Sequence, residues 1–136
     1  MYLLDKNILS ELIKRKPNAQ LLERLRLEPP YALYTSCVCI MELRFGSALR
    51  DDFERFWRKI THEIISRVNI LNIGPKEALI AGDILADLRK GGQIIGLEDV
   101  LIASSALTHQ FTVVTANIRN FARITGLQVE NWLELD

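Results

Sequence analysis

Tyr2-Leu3-Leu4-Asp5-Lys6-Asn7-Ile8-Leu9-Ser10-Glu11-Leu12-Ile13 sets the pattern that the rest of the chain repeats. Three apolar residues run without polar alternation, as in a strand buried on both faces, and they end on a carboxylate. The spacing then changes: Leu9, Leu12 and Ile13 share one face of a helix, expected over about Asn7 to Lys16 with Asn7 as its cap and Pro17 as its stop. A short apolar strand handing over to a helix through a polar residue is the unit of a parallel α/β sheet.

The same unit recurs along the 136 residues. Asn18 is placed to cap a second helix carrying Leu21, Leu22 and Leu25, closed by Pro29-Pro30. A strand follows over Ala32 to Ser36, with a polar end at Thr35-Ser36, and a helix from Val38 to Leu49. Asp51 to Ser66 reads as one amphipathic helix, with Phe53, Phe56, Trp57, Ile60 and Ile64 on its apolar stripe. That stripe is expected in the core, with a subunit or partner surface as the alternative. Val68 to Ile73 is a third strand, and Lys76 to Lys90 a helix burying Ala78, Ala81, Leu85 and Leu88 before Gly91-Gly92. Asp83 and Asp87 fall on its solvated side. A helix from about Asp99 to His109 comes next, then the β-branched strand Phe111 to Thr115, a loop at Ala116-Asn117, a helical turn near Phe121 and a last strand at Leu127 to Val129. Strands alternating with helices predict a parallel sheet covered on both faces.

Composition narrows the function classes. Hydrophobic residues make up 49% and charged ones 25%. Those shares suit an ordinary globular protein of one domain, spanning residues 1–136. Lys+Arg and Asp+Glu are both 17, so the net charge is zero and any nucleic-acid contact must come from a local basic patch. No apolar run is long enough to cross a bilayer, and the early charge at Asp5 is unlike a signal peptide; the cytoplasm is the expected compartment. Cys37 and Cys39 lack the spacing of a zinc knuckle or redox pair and are expected to be reduced core cysteines. His62 and His109 are expected at the surface or the core edge, and no Ser-His-Asp set or phosphate-cradling glycine loop is present.

Three acids lie at the borders of buried segments. Asp5 ends a strand, where the plain reading is a helix-start acid. Glu42 sits mid-helix among Val38, Cys39, Phe45 and Gly46, where a carboxylate is costly without a partner. Asp99 opens a helix in Ile94-Ile95-Gly96-Leu97-Glu98-Asp99-Val100, where the macrodipole alone would account for it. In parallel sheets, polar residues just past the carboxyl ends of strands converge on one edge, and Asp5, Thr35-Ser36 and Thr115-Asn117 all occupy that position. If Asp5, Glu42 and Asp99 meet there, their mutual repulsion calls for a cation. Oxygen-only donors suit Mg²⁺ or Mn²⁺, and a carboxylate-held Mg²⁺ most often serves phosphate chemistry.

Several motifs together resemble PIN-domain proteins, most closely the VapC-type toxins of bacterial toxin–antitoxin pairs. Tyr2 to Leu12 resembles their opening "hLLDTNhLSEL"; Met41-Glu42-Leu43-Arg44-Phe45-Gly46 is similar to "xELxxG"; Ile95 to Ala103 to "IGxxDxLIA"; Val114-Thr115-Ala116-Asn117 with Phe121 to "VTxNxxxF"; and Gly126 to Trp132 to "GLxVENW". The motifs keep their order over the whole chain. The resemblance implies a three-layer α/β/α PIN-like domain with a central, mainly parallel sheet. It implies a Mg²⁺- or Mn²⁺-dependent endoribonuclease that blocks translation, a homodimer, and a cognate VapB-type antitoxin. Asp5, Glu42 and Asp99 match the family's acidic positions, Asn117 the fourth catalytic position, and Asn7 and Thr115 its supporting polar positions.

Two positions depart from the pattern. Lys6 stands where relatives usually carry Thr, and Asn120 where many carry an acid. Lys6 can point to solvent, bind the scissile phosphate, or repel the metal and pair with the acids. Lys6, Arg44, Arg50 and Arg119 are the basic candidates for holding an RNA backbone, each equally readable as a solvated charge. The departures leave two other readings open: a catalytically weakened PIN-like module that binds RNA or protein, and a metal-dependent nuclease or phosphatase acting on another phosphate ester.

Overall fold

The computed structural model describes residues 1–134; positions 135 and 136 of the expected domain lie outside the described residues. Five strands form one sheet: β1 (Tyr2–Leu4), β2 (Leu33–Ser36), β3 (Asn69–Leu71), β4 (Thr112–Val114) and β5 (Val129–Glu130). Their spatial order is β3-β2-β1-β4-β5 and every pairing is parallel. Helices α1 (Lys6–Glu11), α2 (Ala19–Arg26), α3 (Cys37–Ala48), α4 (Phe53–Glu63), α5 (Pro75–Lys90), α6 (Leu97–His109) and α7 (Ile118–Phe121) flank it, giving the α/β/α layering that the sequence implied.

The centre of the sheet carries the continuous apolar runs. Leu3, Leu4, Val113 and Val114 have no solvent exposure, because β1 and β4 are covered on both faces. Val100, Ile102, Ala103 and Ala106 from α6 close the core, and Trp132 stacks edge-on against Tyr2 with ring centroids 4.8 Å apart. Burying a side chain the size of leucine contributes about 1.5–3 kcal/mol, so these central positions dominate the fold's stability. Strand β3 is an edge, and Asn69 and Ile70 are correspondingly exposed. No helix among the described residues is long and apolar enough to cross a membrane.

Several boundaries differ from the sequence reading. Helix α1 ends at Glu11, not Lys16: residues 12–14 close by shorter-range backbone bonds, Ile13 N–H to Ser10 O (3.3 Å) and Lys14 N–H to Glu11 O (3.3 Å). Pro17 disfavours helix in the residue before it, and the Glu11 carboxylate fixes the return by accepting from Asn18 N–H at 3.1 Å. The cap of α1 is Asp5 rather than Asn7. Asp51–Ser66 is not one helix: Asp51 and Asp52 form a turn before α4, and Ile64 leaves the helical path at φ −118° before a 3₁₀ turn over Ile65–Arg67. On α5 the buried positions are Glu77, Ala81, Ile84 and Leu88, while Ala78 and Leu85 are exposed. Apolar residues Ala78, Leu79, Ile80, Ala81, Ile84, Leu85 and Leu88 span more than one face, so the pattern left the buried one open; packing against α6 decided it. Asp83 and Asp87 are exposed, as expected. β5 lies at Val129–Glu130, later than Leu127–Val129. Gly92 takes the left-handed conformation after α5, with φ 69°. Gln93 N–H then reaches back to Leu88 O at 2.8 Å. Glycine permits this turn without strain.

Candidate active site

Strand order 3-2-1-4-5 reverses direction between β1 and β4, and in such sheets a crevice opens outside the carboxyl ends of the strands at the reversal. Asp5 follows β1 and Thr115 follows β4, so both stand at that crevice. The Asp5 backbone N–H extends the sheet to Val114 O at 2.9 Å. Asp5 is 5% exposed, and both side-chain oxygens have donors. Oδ1 accepts from Lys6 N–H at 2.7 Å; Oδ2 accepts from the Thr115 hydroxyl at 2.8 Å and from Asn7 Nδ2 at 3.3 Å.

Asn7 and Thr115 lace the two strand ends together. The Asn7 side-chain oxygen accepts from Ala116 N–H at 3.1 Å, and the Thr115 hydroxyl oxygen accepts from Asn117 N–H at 2.9 Å. Donors and acceptors of this lacing are thereby matched, which fixes the Asp5 rotamer before any ligand arrives. On the other flank Thr35 donates to Leu4 O at 2.8 Å, and the Ser36 hydroxyl caps α3 by accepting from Val38 N–H at 3.1 Å. The cap launches α3 so that Cys39 and Glu42, one turn apart, face the crevice.

Asp5, Cys39 and Glu42 each bring one ligand atom within 4.8 Å of the other two. Cys39 is fully buried, with Sγ 3.9 Å from Leu4 O and 4.0 Å from Asp5 Oδ1. Burial, reinforced by the neighbouring Asp5 charge, pushes its thiol up to about 12. The sequence reading placed Cys39 correctly in the interior but missed its position against a carboxylate. The available signal was its spacing, one helical turn before Glu42 and just past β2.

Asp99, in the first turn of α6, stands outside that compact trio yet within electrostatic reach of it. The three acids share one response. Burial raises the Asp5 carboxyl above its ordinary value; the bonds from Thr115 and Lys6 N–H oppose this, and the charge of Asp99 adds to it. Burial also raises Glu42, with Lys6 opposing and Asp5, Asp99 and Glu98 adding. Asp99 is raised by burial, lowered by its bond from Asn120 Nδ2 (3.4 Å), and raised again by Glu98. In all three the largest cause is burial, and neighbouring carboxylates add an excess of negative charge to it. A divalent cation relieves that excess, and the carboxylate oxygens fit a hard ion such as Mg²⁺ or Mn²⁺.

The remaining sequence candidates divide. Asn120 reaches the site through Asp99. Lys6 is half-buried, and its charge acts to lower the carboxyls of both Glu42 and Asp5. Asn117 is half-buried at the start of α7, without a side-chain capping bond. Arg119 is exposed on α7. Arg44 is elsewhere. Two residues past Glu42 it points away from that side chain, because helix neighbours two apart do not share a face. Its guanidinium covers the rings of Phe53 (4.4 Å) and Trp57 (4.9 Å). Arg50 likewise covers Phe56 at 3.8 Å and pairs with Asp52 at 2.7 Å. These two arginines serve α4 and stand apart from the acids.

Comparison with known proteins agrees with this geometry. The PIN domain family's sequence profile matches residues 2–127. The chain is 33% identical over 132 residues to ribonuclease VapC2 of Haemophilus influenzae, covering 97% of this chain and 98% of that protein. It is 34% identical to the tRNA(fMet)-specific endonuclease VapC of Shigella flexneri, covering 96% and 97%. The solved structure of VapBC-1 from nontypeable Haemophilus influenzae superposes with a TM-score of 0.86 at 32% identity, covering 98% of each chain. The buried aspartate at the sheet's reversal point, the helical glutamate facing it and a match running from β1 to the last strand all lead to one conclusion: the chain belongs to the PIN-domain family and, within it, to the VapC proteins.

Proposed function

We propose that this protein is a Mg²⁺- or Mn²⁺-dependent endoribonuclease, the toxin of a toxin–antitoxin pair, which hydrolyses RNA phosphodiesters and so blocks translation. The observation that carries the proposal is the convergence of Asp5, Glu42 and Asp99, three acids from distant parts of the chain, on one crevice at the sheet's reversal point. The names of the VapC relatives support an RNA substrate, and the likeness to VapBC-1 supports a VapB-type antitoxin as partner. We assign the whole chain to one domain acting as a homodimer in the cytoplasm.

Asp5, Glu42 and Asp99 would hold the ion. Bound there, a divalent cation supplies an activated water and neutralises charge developing on the phosphodiester. Asp5 is locked by Thr115, Asn7 and the Lys6 amide, so it presents a fixed lone-pair direction rather than a mobile one. Asn117 orients water or phosphate without adding charge. Lys6 places an ammonium beside the acids, where an entering phosphate meets it. RNA incubated with the purified protein and Mg²⁺ is expected to be cut, and EDTA or Asp5→Ala to lower the rate by about two orders of magnitude or more, the scale of losing several kcal/mol of charge stabilisation. Equal cleavage in EDTA, or an Asp99→Asn variant as active as the parent, rules this mechanism out. Single-stranded DNA and a phosphomonoester in parallel separate an RNase from a broader phosphate-ester hydrolase.

A second reading, a catalytically weakened module that binds RNA or protein, is favoured by one feature: Lys6 adds positive charge against Glu42 and Asp5 where an ion must bind. Restored cleavage only in Lys6→Thr identifies that case.

A further inference from the structure

A cavity of about 610 Å³ opens between α2, the start of α7 and the chain from Val129 onwards. Trp132 is its buried floor, and the Arg24 guanidinium lies over the Trp132 ring, 4.5 Å from the centroid. The rim of that guanidinium is occupied. Glu28 accepts from Nη1, the Tyr2 hydroxyl accepts from Nη2 at 3.1 Å, and Glu130 stands 3.8 Å from Nη2. What remains available is a flat face, for the side chain is still 32% exposed. Three acids, Glu23, Glu130 and Glu134, line the cavity with this one arginine, so it repels a phosphate. A planar uncharged ring suits it: guanidinium planes stack on heteroaromatic bases.

The cavity adjoins the catalytic crevice. Ile118 in its wall directly follows Asn117. Glu130 O accepts from Thr115 N–H at 2.9 Å, and the Thr115 hydroxyl donates to Asp5. Neighbouring strands lie about 4.8 Å apart, so β5 stands roughly 10 Å from β1, a gap that single-stranded RNA bridges in one or two nucleotides. We infer that this cavity is a nucleobase subsite, in which an unpaired base next to the cut bond stacks on the open face of Arg24 while its phosphates stay outside. The inference rests on the RNA-nuclease reading above. Hydrogen-bonding groups for the base edge are at hand. The Gln20 amide lines the cavity, and Asn131 keeps its Nδ2 as a donor after its oxygen has accepted from Leu133 N–H. A base held in a helix cannot enter, so the subsite selects single-stranded segments.

Trp132 reports on its own occupancy. In Trp57→Phe it is the sole tryptophan, and short single-stranded RNA of mixed sequence, titrated in EDTA, is expected to quench its emission saturably. The same sugar-phosphate chain without bases is expected not to quench it. Arg24→Lys keeps the charge and removes the plane, and is expected to weaken RNA binding by about five-fold or more, the lower end of one stacked base. Ala19→Phe, at an exposed position of the wall, fills the cavity and is expected to do the same with Arg24 intact. With Mg²⁺ present, both variants are expected to raise KM more than they lower kcat, because the subsite holds a base and not the reacting atoms. Equal RNA affinity in both variants, quenching by the base-free chain, or RNA cut without any quenching overturns the subsite while the nuclease reading stands. A tryptophan-free aromatic peptide that quenches as strongly as RNA gives the cavity to a protein partner and overturns it as well. RNA neither bound nor cut by the parent protein overturns the nuclease reading and this inference together. Ala19→Phe decides the matter if Arg24→Lys fails to fold.

Discussion

Glu42 is the acid with the least local support: its carboxylate accepts no hydrogen bond among the described residues, whereas that of Asp5 has four donors, the Cys39 thiol among them, and that of Asp99 one. Its carboxyl is raised mainly by burial, so the folded chain holds the proton more tightly than the unfolded chain does. Such a group withdraws stability as pH rises from the ordinary carboxylate range through its raised folded value, because the folded chain must then release a proton it favours. In metal-free buffer, Glu42→Gln is therefore expected to melt higher than the parent at about pH 7, with the gain fading towards about pH 4. Thermal melts of both proteins at the two pH values check this; an equal gain at both removes the electrostatic cause. Added Mn²⁺ should raise the parent's melting temperature and leave that of Glu42→Gln nearly unchanged. Lys6 gives the converse test. Removing its charge in Lys6→Thr is expected to tighten Mn²⁺ binding by roughly ten-fold, or about 1.4 kcal/mol, at low ionic strength, and by less as salt screens the pair. Calorimetric titration at two salt concentrations measures it, and unchanged affinity would return Lys6 to the role of a phosphate contact.

At the scale of elements, the helix ends aim the site. Ser36 caps α3, Asp5 caps α1 and Gly96 opens α6. The positive ends of α1 and α6 therefore lie close to Asp5 and Asp99. The dipole that explains Asp99 as an ordinary helix-start acid is thus also what helps to keep it charged. The other end of α6 carries local strain. Gln110 adopts φ 59° and ψ 41°. Glycine tolerates this left-handed conformation at less cost than glutamine does. Phe111 N–H completes the turn to Ala106 O at 2.9 Å. Gln110→Gly is expected to stabilise the fold by about 0.5–1 kcal/mol, with the relief of strain exceeding the entropy that glycine adds to the unfolded chain. Denaturant melts that show a loss instead would mean the glutamine side chain holds something at this position. Leu107 to Phe111 lies far along α6 from Asp99, so nuclease activity should not follow the change.

Across the whole molecule, the order β3-β2-β1-β4-β5 brings residues 5, 42 and 99 to one crevice. The aromatic stripe of α4 lies apart from it, half-buried under Arg44 and Arg50 rather than fully in the core. An antitoxin that covers this aromatic stripe of α4 is expected to lose its hold when Phe56 and Trp57 are both replaced by alanine. Co-purification with the cognate antitoxin tests this, and retention by a variant with an intact circular dichroism spectrum rejects the surface. Much of this arrangement was legible beforehand. The alternation of apolar runs with helical spacing specified a parallel α/β sheet, because strands buried on both faces cannot alternate in polarity. Asp5 and Thr115 stood out because each ended such a run. Local spacing also carried the cap at Asn18, whose oxygen reaches an amide only three residues away. Tertiary structure alone decided what depends on distant residues meeting. It selected Ile84 rather than Leu85 as the buried position of α5, where apolar residues span more than one face. It drew Lys6 towards Glu42, stacked Arg44 on the rings of α4 away from the acids, and set the Cys39 thiol against Asp5. These outcomes turn on pairs distant in sequence, such as Cys39 with Asp5, 34 positions apart, and the side-chain chemistry of one segment carries no information about which other segment will face it.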